Sequence, residues 1–223
     1  MSRLIQRCVT GALLAGVFAI SSLGVARAGP LYGAYTVSVW TGTGTTFTAN
    51  LASEPTVSAN YVFSYTGPID FSVARGQANT FSNFFGGYSS GISGLTPGDR
   101  ASLLATVMST SGSINTTPPG DNTYMIFTGS TAYGGLATVQ HDDGASLYYG
   151  SSNAISFESP GPTSEISSSG TLPGGTFTLV YDEANGAPSV LTMSVVPEPA
   201  SLALLATGLV FLGVAVRRRR NAW

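Results

Sequence analysis

Residues 141–150 read His-Asp-Asp-Gly-Ala-Ser-Leu-Tyr-Tyr-Gly and hold the chain's one histidine, two adjacent carboxylates and two adjacent tyrosines. Paired aspartates are hard oxygen donors, the kind that a calcium ion takes. Neighbours on a strand project to opposite faces. Asp142 and Asp143 can therefore serve one cation only if the backbone between them leaves the strand path. The same residues also read as a strand-ending turn, in which Asp and Gly supply turn propensity. An EF-hand is excluded, because the alternating acidic spacing and the closing Glu are absent. Tyr148 and Tyr149 are candidate ligand-binding residues that could stack on a pyranose ring, although tyrosines on a strand also serve as half-buried packing.

Catalytic chemistry finds little support. His141 is the only imidazole, and its neighbour Asp142 cannot easily orient it as a triad acid would. No pair of carboxylates stands out at a glycosidase spacing. The expectation is a protein that is not an enzyme, with no catalytic residue. The chain has 223 residues, only 9% of them charged, and no lysine. Between residues 29 and 196, Arg75 and Arg100 face ten carboxylates, a balance that argues against nucleic-acid binding.

Both ends carry targeting patterns. Arg3 and Arg7 precede an apolar run from Val9 to Val25, and Ala26-Arg27-Ala28 supplies a small-residue cleavage pattern. Residues 1–28 are thus expected to be a signal peptide cut by signal peptidase after Ala28. Cys8, the only cysteine, would leave with it, so disulfides and thiolate metal sites are excluded from the secreted part. At the other end, Pro197-Glu198-Pro199 precedes an apolar stretch of about 200–216 and the run Arg217-Arg218-Arg219-Arg220. Seventeen helical residues span roughly 26 Å, enough for one membrane crossing with snorkelling arginines. The arginines mark the cytoplasmic side, which places the middle region across the membrane.

That ending resembles a PEP-CTERM sorting signal, with its proline-flanked glutamate, short apolar helix and basic tail in order. The resemblance implies export, a transient anchor in the inner membrane by one C-terminal helix, and processing near the motif by an exosortase. It also implies a final place at the cell surface or in an extracellular polysaccharide matrix or biofilm. Residues 196–223 form the sorting segment in this reading.

The elements that must position the acidic pair lie in residues 29–195. Tyr35, Val37 and Val39 alternate with polar neighbours; Val57 to Tyr65, Ile69 to Val73, Ser102 to Met108 and Thr123 to Thr128 are rich in β-branched or aromatic residues. Gly and Pro clusters such as Thr96-Pro97-Gly98-Asp99 punctuate them as turns. Phe177, Leu179 and Tyr181 alternate toward a turn at 182–188, and Leu191, Met193 and Val195 return on one face as a hairpin. Glu165 to Gly170 reads as linker, and Phe81, Phe84, Phe85 and Tyr88 as core. The expected class is all-β: a single antiparallel β-sandwich or jelly roll.

Asp142-Asp143-Gly144, Leu147-Tyr148, Gly150, Leu172-Pro173-Gly174-Gly175 and Phe177 to Tyr181 with Glu183 together resemble the core motif of PA14 and GLEYA-type sandwiches. Adhesin members of that group hold calcium on the paired aspartates, joined by a cis peptide, and the ion helps bind sugar hydroxyls. The resemblance implies Ca2+ as cofactor at Asp142 and Asp143 and extracellular polysaccharide as partner. Tyr149 departs from the pattern, which often has Asp or Asn before the Gly. Two functions follow: a calcium-assisted, adhesin-like polysaccharide-binding module, or a structural matrix component with no specific ligand.

Overall fold

The computed structural model describes residues 29–42, 48–110, 121–197 and Gly208. The expected leader with Ala26 and Ala28, the residues Glu198 and Pro199, the apolar run and Arg217 to Arg220 lie outside them. Among the described residues no helix is long and apolar enough to cross a membrane.

Eleven strands are arranged in two antiparallel sheets: β1 Tyr32–Thr41, β2 Tyr61–Pro68, β3 Asp70–Val73, β4 Ile92–Ser93, β5 Thr123–Thr131, β6 Gly135–His141, β7 Gly144–Tyr149, β8 Ala154–Ser159, β9 Ile166–Leu172, β10 Gly175–Glu183 and β11 Ser189–Pro197. One sheet has the order β4-β2-β1-β5-β10-β7-β8, the other β3-β11-β6-β9. The all-β sandwich expected from the alternating pattern is the architecture found. Inward residues of both sheets, among them Val37, Val39, Phe127, Leu179, Val139 and Met193, form one buried core. Phe71 lies at the centre of an aromatic group, with ring centroids 4.9 Å from Phe85, 5.2 Å from Phe84 and 5.3 Å from Tyr65. Such packed rings add stabilisation beyond the area they bury.

A second apolar cluster covers one end of the outer face of the larger sheet. Trp40, Tyr124, Ile126, Tyr148 and Val180 pack there beneath Ala49 and Leu51. The rest of that face is exposed at residues such as Thr36, Val62 and Thr128. The outer face of the smaller sheet is open and hydroxyl-rich; Thr138 and Ser169 are hydrogen-bonded across it at 3.0 Å.

Three segments depart from the sequence reading. Ser102 to Met108, expected as a strand, belongs mostly to helix α2 (Pro97–Ala105), which follows α1 (Phe81–Phe85). Thr96 caps α2 by accepting from the Asp99 N–H at 3.1 Å, and Pro97 sits at its first position, so the four residues read as a turn are a helix start. Residues 166–172, of which 166–170 fall in the segment read as linker, form the edge strand β9; Ser167, Ser169 and Thr171 face solvent, and Ser168 and Gly170 on the other face hide the alternation. The last two strands are no hairpin: β10 lies in the larger sheet and β11 in the smaller, so the 184–188 segment crosses between layers. β11 also runs to Pro197, two residues past the domain boundary set at 195.

Candidate functional site

Three connections cross from one sheet to the other at the same pole of the sandwich. Residues 142–143 join β6 to β7, residues 160–165 join β8 to β9, and residues 184–188 join β10 to β11. Packed sheets lie about 10 Å apart, so these crossings leave a gap that strands cannot fill. The result is a cleft of about 720 Å³ lined by Asp142, Asp143, Thr163, Glu165, Asn185 and Arg75, with the remaining 184–188 backbone as one wall.

The aspartates meet the condition set by their adjacency. Asp143 has φ 64°, a left-handed conformation that Asp tolerates better than most residues. The chain thus leaves the β6 path within one residue, and both carboxyls turn to the cleft. The expected cis peptide between them is not found: the cis bond among the described residues is Ala187–Pro188. The left-handed residue supplies the unusual backbone instead.

Hydrogen bonds fix the pair. The Asp142 N–H donates to the Val190 carbonyl at 3.0 Å, continuing the β6–β11 ladder for one more residue. Asp142 Oδ1 accepts from the Asp143 N–H at 3.1 Å, and Asp143 Oδ2 accepts from the Ala184 N–H at 2.8 Å. Thr163 Oγ1 donates to the Asp143 carbonyl at 3.1 Å, and His141 Nδ1 lies 2.9 Å from the same oxygen. His141 Nε2 is 2.9 Å from Ser168 Oγ on β9. Burial lowers the His141 pKa below the usual range, so the ring is a neutral structural bridge.

Electrostatically the cleft is an anionic site with little relief. Burial pushes the Asp142 carboxyl up. It pushes Asp143 up further, and the charge of Glu183 adds to it. Glu183, fully buried behind Asp143, is raised by burial in turn, although Tyr181, Ser189, Asn79 and Ser109 oppose that shift. Glu183 Oε1 accepts from Asn79 Nδ2 at 2.8 Å and Ser109 Oγ at 3.0 Å, and Oε2 from the Tyr181 hydroxyl. Ser109 Oγ accepts from the Gly186 N–H at 2.8 Å, which ties this network to the cleft wall. Sequence spacing could not find Glu183, Asn79, Ser109 or Arg75 as parts of one site, because they lie on elements far apart in the chain.

The tyrosines are not part of the cleft. Tyr148 and Tyr149 project to opposite faces of β7. Tyr148 is buried in the outer cluster; its hydroxyl donates to Glu158 and accepts from the Leu51 N–H at 3.3 Å. Tyr149 packs against the main core. The ring of Tyr148 is covered and that of Tyr149 is half-buried, so the two candidate stacking residues lie apart, outside the lining of the cleft.

The donors in the cleft are carboxylate, hydroxyl and backbone carbonyl oxygens, which suit a hard cation such as calcium and not a soft one. Among the described residues no three His, Cys, Asp or Glu side chains form a metal-holding group. An ion on Asp142 and Asp143 would have to complete its shell with carbonyls, hydroxyls, water or ligand oxygens.

No curated protein sequence matches this chain. Among solved structures it is similar to the PA14 domain of the MpAFP antifreeze protein, with TM-score 0.46 and 14% identity over 74% of this chain and 87% of that one. It is also similar to a PA14 sugar-binding domain from an RTX adhesin, with TM-score 0.41 and 14% identity over 73% and 88%. A GH31 α-xylosidase from Xanthomonas citri aligns with TM-score 0.39 and 8% identity over 76% of this chain but 16% of the enzyme. Residues 195–220 match the PEP-CTERM protein-sorting motif, which implies an exported protein that an exosortase processes.

Proposed function

We propose that this exported protein is an adhesin-like surface module whose cleft holds Ca2+ on Asp142 and Asp143 and so binds polysaccharide hydroxyls. The supporting observation is the convergence of two adjacent, nearly buried carboxylates on an open cleft, with Glu183 behind them and Arg75 as the one cation among the described residues of the lining. A divalent ion would relieve that accumulation of charge and would supply open coordination positions for sugar oxygens. Asp142 and Asp143 would be its side-chain ligands; Thr163 and the Ala184 N–H hold Asp143 in place, and the Val190 carbonyl and the Asp143 N–H hold Asp142. The processed protein would sit at the cell surface or in the extracellular matrix.

The test is calorimetry of the purified secreted protein with calcium, beside Asp142→Asn/Asp143→Asn. Extracellular calcium modules bind with Kd of about 0.1–1 mM. Saturable binding in that range, lost in the variant, supports the proposal, and retention on polysaccharide should then disappear with chelator. Absence of binding at 10-fold higher calcium, about 10 mM, would refute it. The lack of a third acidic ligand among the described residues would then favour a structural matrix component with no specific ligand.

A further inference from the structure

The sorting motif and the fold share three residues. The motif begins at Val195, and β11 ends at Pro197. Val195, Val196 and Pro197 pair with Ala137, Leu136 and Gly135 of β6, and the Val195 side chain belongs to the buried core. The strand end is closely fitted: a Cβ on Gly135 would lie 1.9 Å from the Val196 carbonyl oxygen. On its other side β11 is paired with β3 only from Ser189 to Thr192. The Leu31 N–H donates to the Met193 carbonyl at 2.6 Å and Pro30 bridges Ser194. The residues at the expected mature N-terminus thus lie beside the start of the motif.

An extended peptide that docks on a protein by strand addition satisfies its backbone groups on that protein. Residues laddered to β6 have the groups on that side already bonded, and Val195 has its side chain in the core, so they cannot enter a cleft that surrounds the peptide it cuts. Two residues, Glu198 and Pro199, separate the strand from the apolar run at Ala200, and they reach about 7 Å at full extension.

We propose that the folded sandwich sets where and how fast the motif is processed: the bond cut lies C-terminal to Pro197, β11 leaves whole with the released protein, and Val195–Pro197 must fray from β6 before the protease engages. This rests on exosortase processing of the motif. Cleavage breaks one amide C–N bond; the carbonyl carbon takes the acceptor's oxygen, water in the simplest case, and the acceptor's proton goes to the departing nitrogen.

The mass of the full-length protein's mature form, recovered from exosortase-bearing cells, tests the position. A last residue of Pro197, Glu198 or Pro199 is expected, and a C-terminus at Val196 or earlier overturns the proposal. An exported chain that keeps residues 200–223 would instead defeat the processing reading itself. The rate is tested by pulse-chase with Gly-Ser-Gly-Ser inserted between Val196 and Pro197, which leaves Pro197-Glu198-Pro199 intact but off the sheet. Conversion should speed up about tenfold, the factor that corresponds to about 1.4 kcal/mol of local opening. Unchanged or slower conversion overturns the fraying step. Gly135→Ala opens the same end from β6 without touching the motif and should act in the same direction; if it does not fold, the insertion decides alone.

Discussion

Asp182→Asn should change the pH dependence of stability with a sign and size that the structure fixes. Asp182 is 1% exposed on the outer face of β10, where Oδ1 accepts from Asn122 Nδ2 at 2.9 Å and Oδ2 has no hydrogen-bond partner among the described residues. Burial pushes its carboxyl up to about 7, with the Asn122 side chain and the Thr48 backbone amide pulling the other way. In the unfolded chain an aspartate titrates near 3.9. The folded state therefore holds a proton that the unfolded state releases between about pH 4 and pH 7. Stability from this group is complete below pH 4 and is lost as pH rises through 7, at about 1.4 kcal/mol per unit. The ceiling is about 4 kcal/mol, three units at that slope. Asparagine keeps the shape and the bond to Asn122 without the charge. The variant should match the parent near pH 4 and exceed it by up to about 4 kcal/mol at pH 8, some 8–16 °C in Tm for a domain of this size. Trp40, buried in the same outer cluster, reports unfolding by fluorescence in urea at pH 4.5, 6 and 7.5. A stability difference that stays constant across these pH values would refute the reasoning.

Three further outcomes follow from the site and the core. Asp143→Asn keeps the acceptor for the Ala184 N–H and tolerates the left-handed backbone, so thermal melts at pH 8 without calcium should rise; Asp143→Ala loses both features and should melt lower than the parent. Phe71→Ala empties the centre of the aromatic group and should cost about 3–5 kcal/mol in urea unfolding, with the near-ultraviolet circular dichroism lost at lower denaturant. Thr96→Ala removes the cap of α2 and should cost about 1 kcal/mol in the same assay, with the sandwich otherwise intact.

The sandwich was legible because strands with one covered face alternate, and Tyr35–Val39, Phe177–Tyr181 and Leu191–Val195 all do. Alternation reports which face a residue takes and says nothing of which strand it joins. β10 and β11 therefore read as a hairpin although they lie in different layers. The start of α2 was misread because Thr-Pro-Gly-Asp suits a turn and a helix cap equally, and β9 was missed because Ser168 and Gly170 interrupt the apolar face that Ile166 and Leu172 begin and end. Of the site, residue type alone located Asp142 and Asp143. Glu183, Asn79 and Ser109 reach it only through the crossing of the chain between sheets, and that crossing also decides that Tyr148 turns away. The burial of Tyr148 on the outer face of the larger sheet could not be read from β7 itself; its cover comes from residues 49–51, nearly a hundred positions earlier.

β11 begins beside the aspartate cleft and ends in the sorting motif. Nine strand residues make a rigid spacer of about 26 Å, at roughly 3.3 Å for each of its steps. A partner that grips the protein at Pro197 therefore meets the end of the sandwich opposite the cleft. One strand joins the two ends, so their separation is inherited from the fold.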